Sequence, residues 1–119
     1  MNVALGGTLI VDIPTFFKSE DVSEQSLPVI LHQCTDYLKC FHSVKVLPNS
    51  FLLTITGCDT GFVTSNHHQA IDRLAPGVKP CSISADGIIE GIEWNDPVEK
   101  SFLLGVQWHP ERMDISNSL

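Results

Sequence analysis

Apolar and polar residues alternate along 41–46, Phe-His-Ser-Val-Lys-Val, which predicts a strand facing two environments. Pro48-Asn49-Ser50 reads as a turn. Ser50 is placed to cap a short helix over 51–55 that Gly57 closes. Short strands are predicted over 61–65 and 78–84. Ala85-Asp86-Gly87 makes a hairpin turn into a return strand over 88–94. Residues 70–74 read as a helical turn stopped by Ala75-Pro76-Gly77, and residues 16–33 as a long loop with one turn at most. Val3-Ala4-Leu5 has the look of a last helical turn ending at Gly6-Gly7. Thr8 to Ile13 is a short extended piece ended by Pro14, and residues 113–119 are expected to fray.

The stretch with the most chemistry begins at Phe102. Seven nearly continuous apolar positions, Phe102-Leu103-Leu104-Gly105-Val106-Gln107-Trp108, run into His109-Pro110-Glu111. An apolar run of this length predicts a strand buried on both faces, as in a covered parallel sheet. Pro110 biases His109 away from the helical region, so the chain should leave the strand extended or turning. His109 and Glu111, two apart, then share a side. A carboxylate there can hold one imidazole nitrogen and leave the other to exchange a proton. A plain strand-end turn with a solvated surface pair is the other reading.

Composition narrows the partners. The 119 residues carry 7 Lys and Arg against 14 Asp and Glu, a formal charge of -7 without a basic cluster, which argues against nucleic acid and anionic membranes. No apolar stretch approaches the roughly 20 residues of a membrane span. Four cysteines, Cys34, Cys40, Cys58 and Cys81, are too few for a disulfide framework, and a reducing, cytoplasmic setting is the default expectation. His32, Cys34, Cys40 and His42 offer four metal-competent side chains. Their spacing lacks the close cysteine pair of a structural zinc knuckle, so no metal is assigned, and nothing calls for an organic cofactor. Asn66-His67-His68-Gln69 forms a polar cluster at a strand end, where at most one of the adjacent histidines can face a ligand.

Several stretches resemble the class I glutamine-amidotransferase-like family, in the gamma-glutamyl-gamma-aminobutyrate hydrolase branch (peptidase family C26). They are Asn2-Val3-Ala4-Leu5-Gly6-Gly7-Thr8-Leu9 with Asp12-Ile13; His42-Ser43-Val44-Lys45-Val46; Ser65-Asn66-His67-His68-Gln69-Ala70-Ile71; Leu74-Ala75-Pro76-Gly77; Ser84-Ala85-Asp86-Gly87-Ile88-Ile89-Glu90-Gly91-Ile92-Glu93; and Leu104-Gly105-Val106-Gln107-Trp108-His109-Pro110-Glu111. The resemblance implies an α/β fold, with residues 1–119 as the C-terminal half of a doubly wound, flavodoxin-like, mostly parallel sheet domain with a β-hairpin. It implies a Cys-His-Glu amidase cleaving the amide bond of gamma-glutamyl compounds. His109 would be the catalytic histidine, Glu111 its orienting acid, and Asn66, His67, His68 and Gln69 the substrate side of the cleft.

The family's nucleophile lies a few residues before the Asn-Val-Ala-Leu-Gly-Gly stretch, in a Gly-x-Cys-Arg-Gly segment that also supplies oxyanion amides. This chain starts just past that place, and none of its cysteines has an elbow context. The isolated chain is therefore expected to be inactive. Its expected partners are a gamma-glutamyl small molecule in the full-length form and a chain carrying the N-terminal half. The alternative is a non-catalytic binding or partner module that keeps half of the fold.

Overall fold

The computed structural model describes residues 1–19, 27–28, 30–36 and 39–113. Alternating burial along β2 (Phe41–Val46) puts His42, Val44 and Val46 inside and Phe41, Ser43 and Lys45 outside, as the sequence pattern requires. β2 is flanked by β3 (Thr60–Thr64) and β5 (Val78–Ser84), both antiparallel to it. β5 turns through residues 85–88 into β6 (Ile89–Trp94). The other edge of β6 is shared by β4 (Ala70–Ile71), which continues to β1 (Leu9–Ile10), and by β7 (Leu104–Val106). The sheet runs β1-β4-β6-β5-β2-β3 with β7 also on β6.

Every strand pairing among the described residues is antiparallel, which overturns the expected flavodoxin-like, mostly parallel sheet. The reason is in the connections. A parallel return needs a crossover of about a dozen residues or more, usually helical. The links β4–β5, β5–β6 and β6–β7 are too short for that. The longer β2–β3 link spends its length on the small helix α2 (Phe51–Thr56) and also comes back antiparallel. β7 departs from expectation too. It is three half-buried residues at a sheet edge, and Phe102 before it is 73% exposed, so the apolar run is no doubly covered strand.

Local signals fared better. Ser50 accepts the Leu53 N–H at 3.0 Å, and Gly57, at φ 66°, donates its own N–H to the Leu53 carbonyl to close α2. The buried Glu93 carboxylate adds to that cap by accepting the Phe51 N–H at 2.9 Å. Val3–Leu5 forms a 3-10 turn stopped by Gly6. Two readings fail. Residues 70–71 are strand β4, held by β1 and β6, where a helical turn was expected. α1 (Ile13–Ser19) occupies the start of the expected loop: Pro14 sits in its first turn, where a missing N–H costs nothing, and Asp12 accepts the Thr15 N–H at 3.0 Å. The expected loop's residues 20–26 and 29, and the tail 114–119, lie outside the described residues.

Two fixtures tie this sheet together. Buried Asn2 donates to the carbonyls of Thr8 (3.0 Å) and Arg73 (2.9 Å) and accepts the Ala75 N–H at 2.8 Å, pinning the chain start to the β4–β5 link. On β6, a Cβ at Gly91 would come within 2.8 Å of Cys81 Sγ, so only glycine lets β5, irregular around Cys81, lie this close. The main apolar core joins Val44, Val46, Leu52, Val63, Cys81 and Trp108.

Candidate functional site

Trp108, buried in that core, anchors the end of the segment after β7 and fixes where the next residue emerges. His109 adopts φ -108° and ψ 89°, outside the helical region as Pro110 demands, and a 3-10 turn Pro110–Arg112 follows. Thr64 at the end of β3 donates its hydroxyl to the His109 carbonyl at 3.3 Å. The turn brings Glu111 Oε1 to 2.9 Å from His109 Nδ1. Glu111's carboxyl is held below its usual range by a hydrogen bond to its own backbone amide and then by His109. With Nδ1 engaged, Nε2 is the nitrogen left to take and return a proton. The imidazole is 39% exposed, so a reactant can approach it.

No cysteine of the chain completes this pair. Cys34 and Cys40 form a disulfide with Cα atoms 5.6 Å apart. Cys81 is fully buried, and burial, then the Glu93 charge, push its thiol up to about 12. Cys58 is exposed in the turn after α2, with no strand-to-helix elbow around it.

A second constellation lies inside the molecule. His32 precedes β2, His42 lies on its buried face, His67 follows β3, and Glu90 is on β6. Glu90 Oε1 faces His32 Nδ1 at 3.2 Å, His42 Nε2 at 3.5 Å and His67 Nε2 at 3.5 Å. The side chains of His32, His42 and Glu90 are at most 4% exposed, and that of His67 is 9% exposed. His32 Nε2 meets Asp86 Oδ2 at 2.8 Å, His42 Nδ1 meets the Ser43 carbonyl at 3.2 Å, and His67 Nδ1 meets the Gln69 carbonyl at 2.8 Å. Burial opposes a charge on His32, but the hydrogen bond to Asp86 and the facing Glu90 carboxylate outweigh it and raise its pKa to about 9. Burial lowers the pKa of His42. It works the other way on Asp86 and Glu90, where contacts with the histidines win and hold both carboxylates low.

The structure thus redistributes the residues singled out from sequence. His109 and Glu111 meet. His32 and His42 meet as well, with ring centroids 4.7 Å apart, while Cys34 and Cys40 pair with each other instead of joining them. In the 66–69 loop His67 turns inward, whereas His68 and Gln69 are exposed and Asn66 is half-buried, which is the division between adjacent histidines that an extended backbone imposes. Glu90 and Asp86 received no role from the sequence. The available signal was Glu90, one of two carboxylates in an otherwise apolar return strand, together with the alternation that buries His42 on β2.

The Peptidase C26 family profile matches residues 1–111. The chain belongs to the Peptidase C26 family. Among curated relatives, Protein NtpR of Enterococcus hirae is 42% identical over 118 residues, covering 99% of this chain and 45% of that protein. A putative glutamine amidotransferase of Mycobacterium tuberculosis is 33% identical over 116 residues, covering 94% of this chain and 32% of that protein. The gamma-glutamyl-gamma-aminobutyrate hydrolase PuuD of Escherichia coli is 32% identical over 71 residues, 59% of this chain and 27% of that protein. The chain spans less than half the length of these Peptidase C26 relatives. The match establishes the family without singling out the hydrolase branch.

Proposed function

We propose that this chain supplies the histidine and glutamate of a Cys-His-Glu amide hydrolase acting on gamma-glutamyl compounds, in a glutamine-amidotransferase-like domain completed by residues outside the chain. The observation that carries the reading is the His109 Nδ1 to Glu111 Oε1 contact of 2.9 Å on an accessible turn. Glu111 fixes the imidazole tautomer, and His109 Nε2 takes the proton of a cysteine thiol furnished by the N-terminal half. The thiolate attacks the amide carbon, His109 returns the proton to the departing amine, and a thioester remains. Water then attacks the thioester, losing its proton through His109, to release the gamma-carboxylate and the thiol.

Substrate contacts fall to the exposed side of the 66–69 loop, Asn66, His68 and Gln69, which starts two residues after the Thr64 hydroxyl that holds the His109 carbonyl. His67 is engaged inside. The relatives named as glutamine amidotransferases and as a gamma-glutamyl-gamma-aminobutyrate hydrolase support the substrate class.

The test joins residues 1–119 to the upstream part of the Escherichia coli hydrolase, in place of its corresponding C-terminal part, and follows release of gamma-aminobutyrate. Turnover that disappears in His109→Ala is expected. A folded chimera that binds the gamma-glutamyl amide without cleaving it, as a non-catalytic binding module would, overturns the reading.

A further inference from the structure

The interior cluster contains more unpaired acceptors than hydrogen bonding can satisfy. Each imidazole is anchored by the nitrogen that points away from the centre: His42 and His67 donate Nδ1–H to backbone carbonyls, and His32 engages the Asp86 carboxylate through Nε2. Donation from those atoms leaves the opposite nitrogens, His32 Nδ1, His42 Nε2 and His67 Nε2, as lone pairs turned on Glu90. None of the three, nor either Glu90 oxygen, has a hydrogen-bond partner among the described residues. Buried polar atoms left unpaired are costly, and these converge on one point.

We propose that His32 Nδ1, His42 Nε2, His67 Nε2 and a Glu90 oxygen form a closed structural site for a divalent cation of the zinc class. Three imidazoles and one carboxylate are a donor set suited to zinc, and poorly suited to magnesium or calcium, which prefer oxygen. Tetrahedral ligands at about 2.0–2.1 Å from zinc stand about 3.3 Å from one another. The three edges that meet at Glu90, 3.2, 3.5 and 3.5 Å, fit that length. All four donor atoms lie within 4.8 Å of one another, so the imidazole–imidazole edges draw in as the ion binds.

The outer partners fit as well. A ligating histidine whose far nitrogen is held by a carboxylate or a backbone carbonyl is the usual support of a zinc site, and all three histidines have one. The charges balance, since a divalent cation neutralises Glu90 and Asp86 together. Four protein ligands buried this deeply leave no open position for a reacting water, so the ion's role is to tie the segment before β2, β2 itself, the loop after β3 and β6 into one unit. The backbone already prepares this: the His32 carbonyl accepts both the Ser65 hydroxyl at 2.7 Å and the His67 N–H at 2.9 Å.

The competing arrangement uses a proton. A charged His32 bridging Asp86 and Glu90 would satisfy that edge while leaving His42 and His67 unpaired. Titrating the chelator-stripped 119-residue chain with Co2+ separates the two. One equivalent bound with the intense visible bands of a tetrahedral Co2+ centre, displaced by Zn2+, is expected. His67→Ala should weaken binding by more than about a hundredfold and Asp86→Asn by about 10–100-fold, with His68→Ala unchanged. Far-UV circular dichroism checks that each variant is folded, and His67→Gln serves if His67→Ala is not. Folded wild-type chain that takes up no Co2+, with nitrogen-15 spectra showing a charged His32, overturns the proposal. So does Co2+ uptake that is identical in a folded His67 variant.

Discussion

Two histidine–carboxylate constellations in this chain have nearly the same internal distances and opposite surroundings. At the surface, His109 and Glu111 meet at 2.9 Å with side chains 39% and 66% exposed. In the interior, His32, His42 and His67 converge on Glu90 at 3.2–3.5 Å, with Glu90 fully enclosed. Water decides what each can do. An exposed pair contributes little to stability, because solvent screens it, but it can exchange protons with a reactant. An enclosed cluster is out of a reactant's reach, and it destabilises the fold heavily if one partner is removed.

The comparison breaks most sharply at His109. In the assembled enzyme His109→Ala should lower kcat/KM by about ten-thousandfold or more, as loss of the base in such a relay does, measured as amine release from a gamma-glutamyl amide. Next comes Glu90→Gln. Removing the carboxylate that offsets the proposed cation leaves a buried charge uncompensated and should cost about 3–5 kcal/mol of folding stability in the cation-loaded chain, read as a lowered denaturant midpoint.

These two positions also mark what the sequence made legible. His109 and Glu111 are neighbours in the chain, and Pro110 dictates the local turn, so their meeting follows from backbone rules over three residues. The buried cluster gathers residues from positions 32 to 90 through strand register, and no local pattern encodes it. The same contrast runs through the fold. The α2 cap, the Gly57 stop and the residue 85–88 turn were readable because each depends on adjacent residues. The direction of strand pairing was not, since the apolar run from Phe102 suggested a covered parallel strand until the short links and the exposure of Phe102 decided otherwise. β4 was missed for a similar reason: two residues become a strand only because β1 and β6 lie on either side.

A smaller effect sharpens the link between local signals and stability. Ser50→Ala should remove the Leu53 N–H acceptor at the start of α2 and cost about 1 kcal/mol, visible in the same denaturant series. The smallest effect is expected from Glu111→Ala, which should lower the midpoint only slightly at neutral pH. Glu111's carboxyl is held low in the folded chain, so its contribution is present above the ordinary carboxylate value and is lost as pH falls through the lowered one. A small difference from wild type should therefore be present at neutral pH and should vanish as the pH falls below the lowered value.

The most direct test of the division between the two sites is a single comparison in the completed enzyme: kcat/KM and melting temperature for wild type and His109→Ala, side by side. Turnover should vanish in the variant while the melting temperature stays where it was. Turnover that survives the substitution in a folded protein would contradict the assignment of the chemistry to the surface pair.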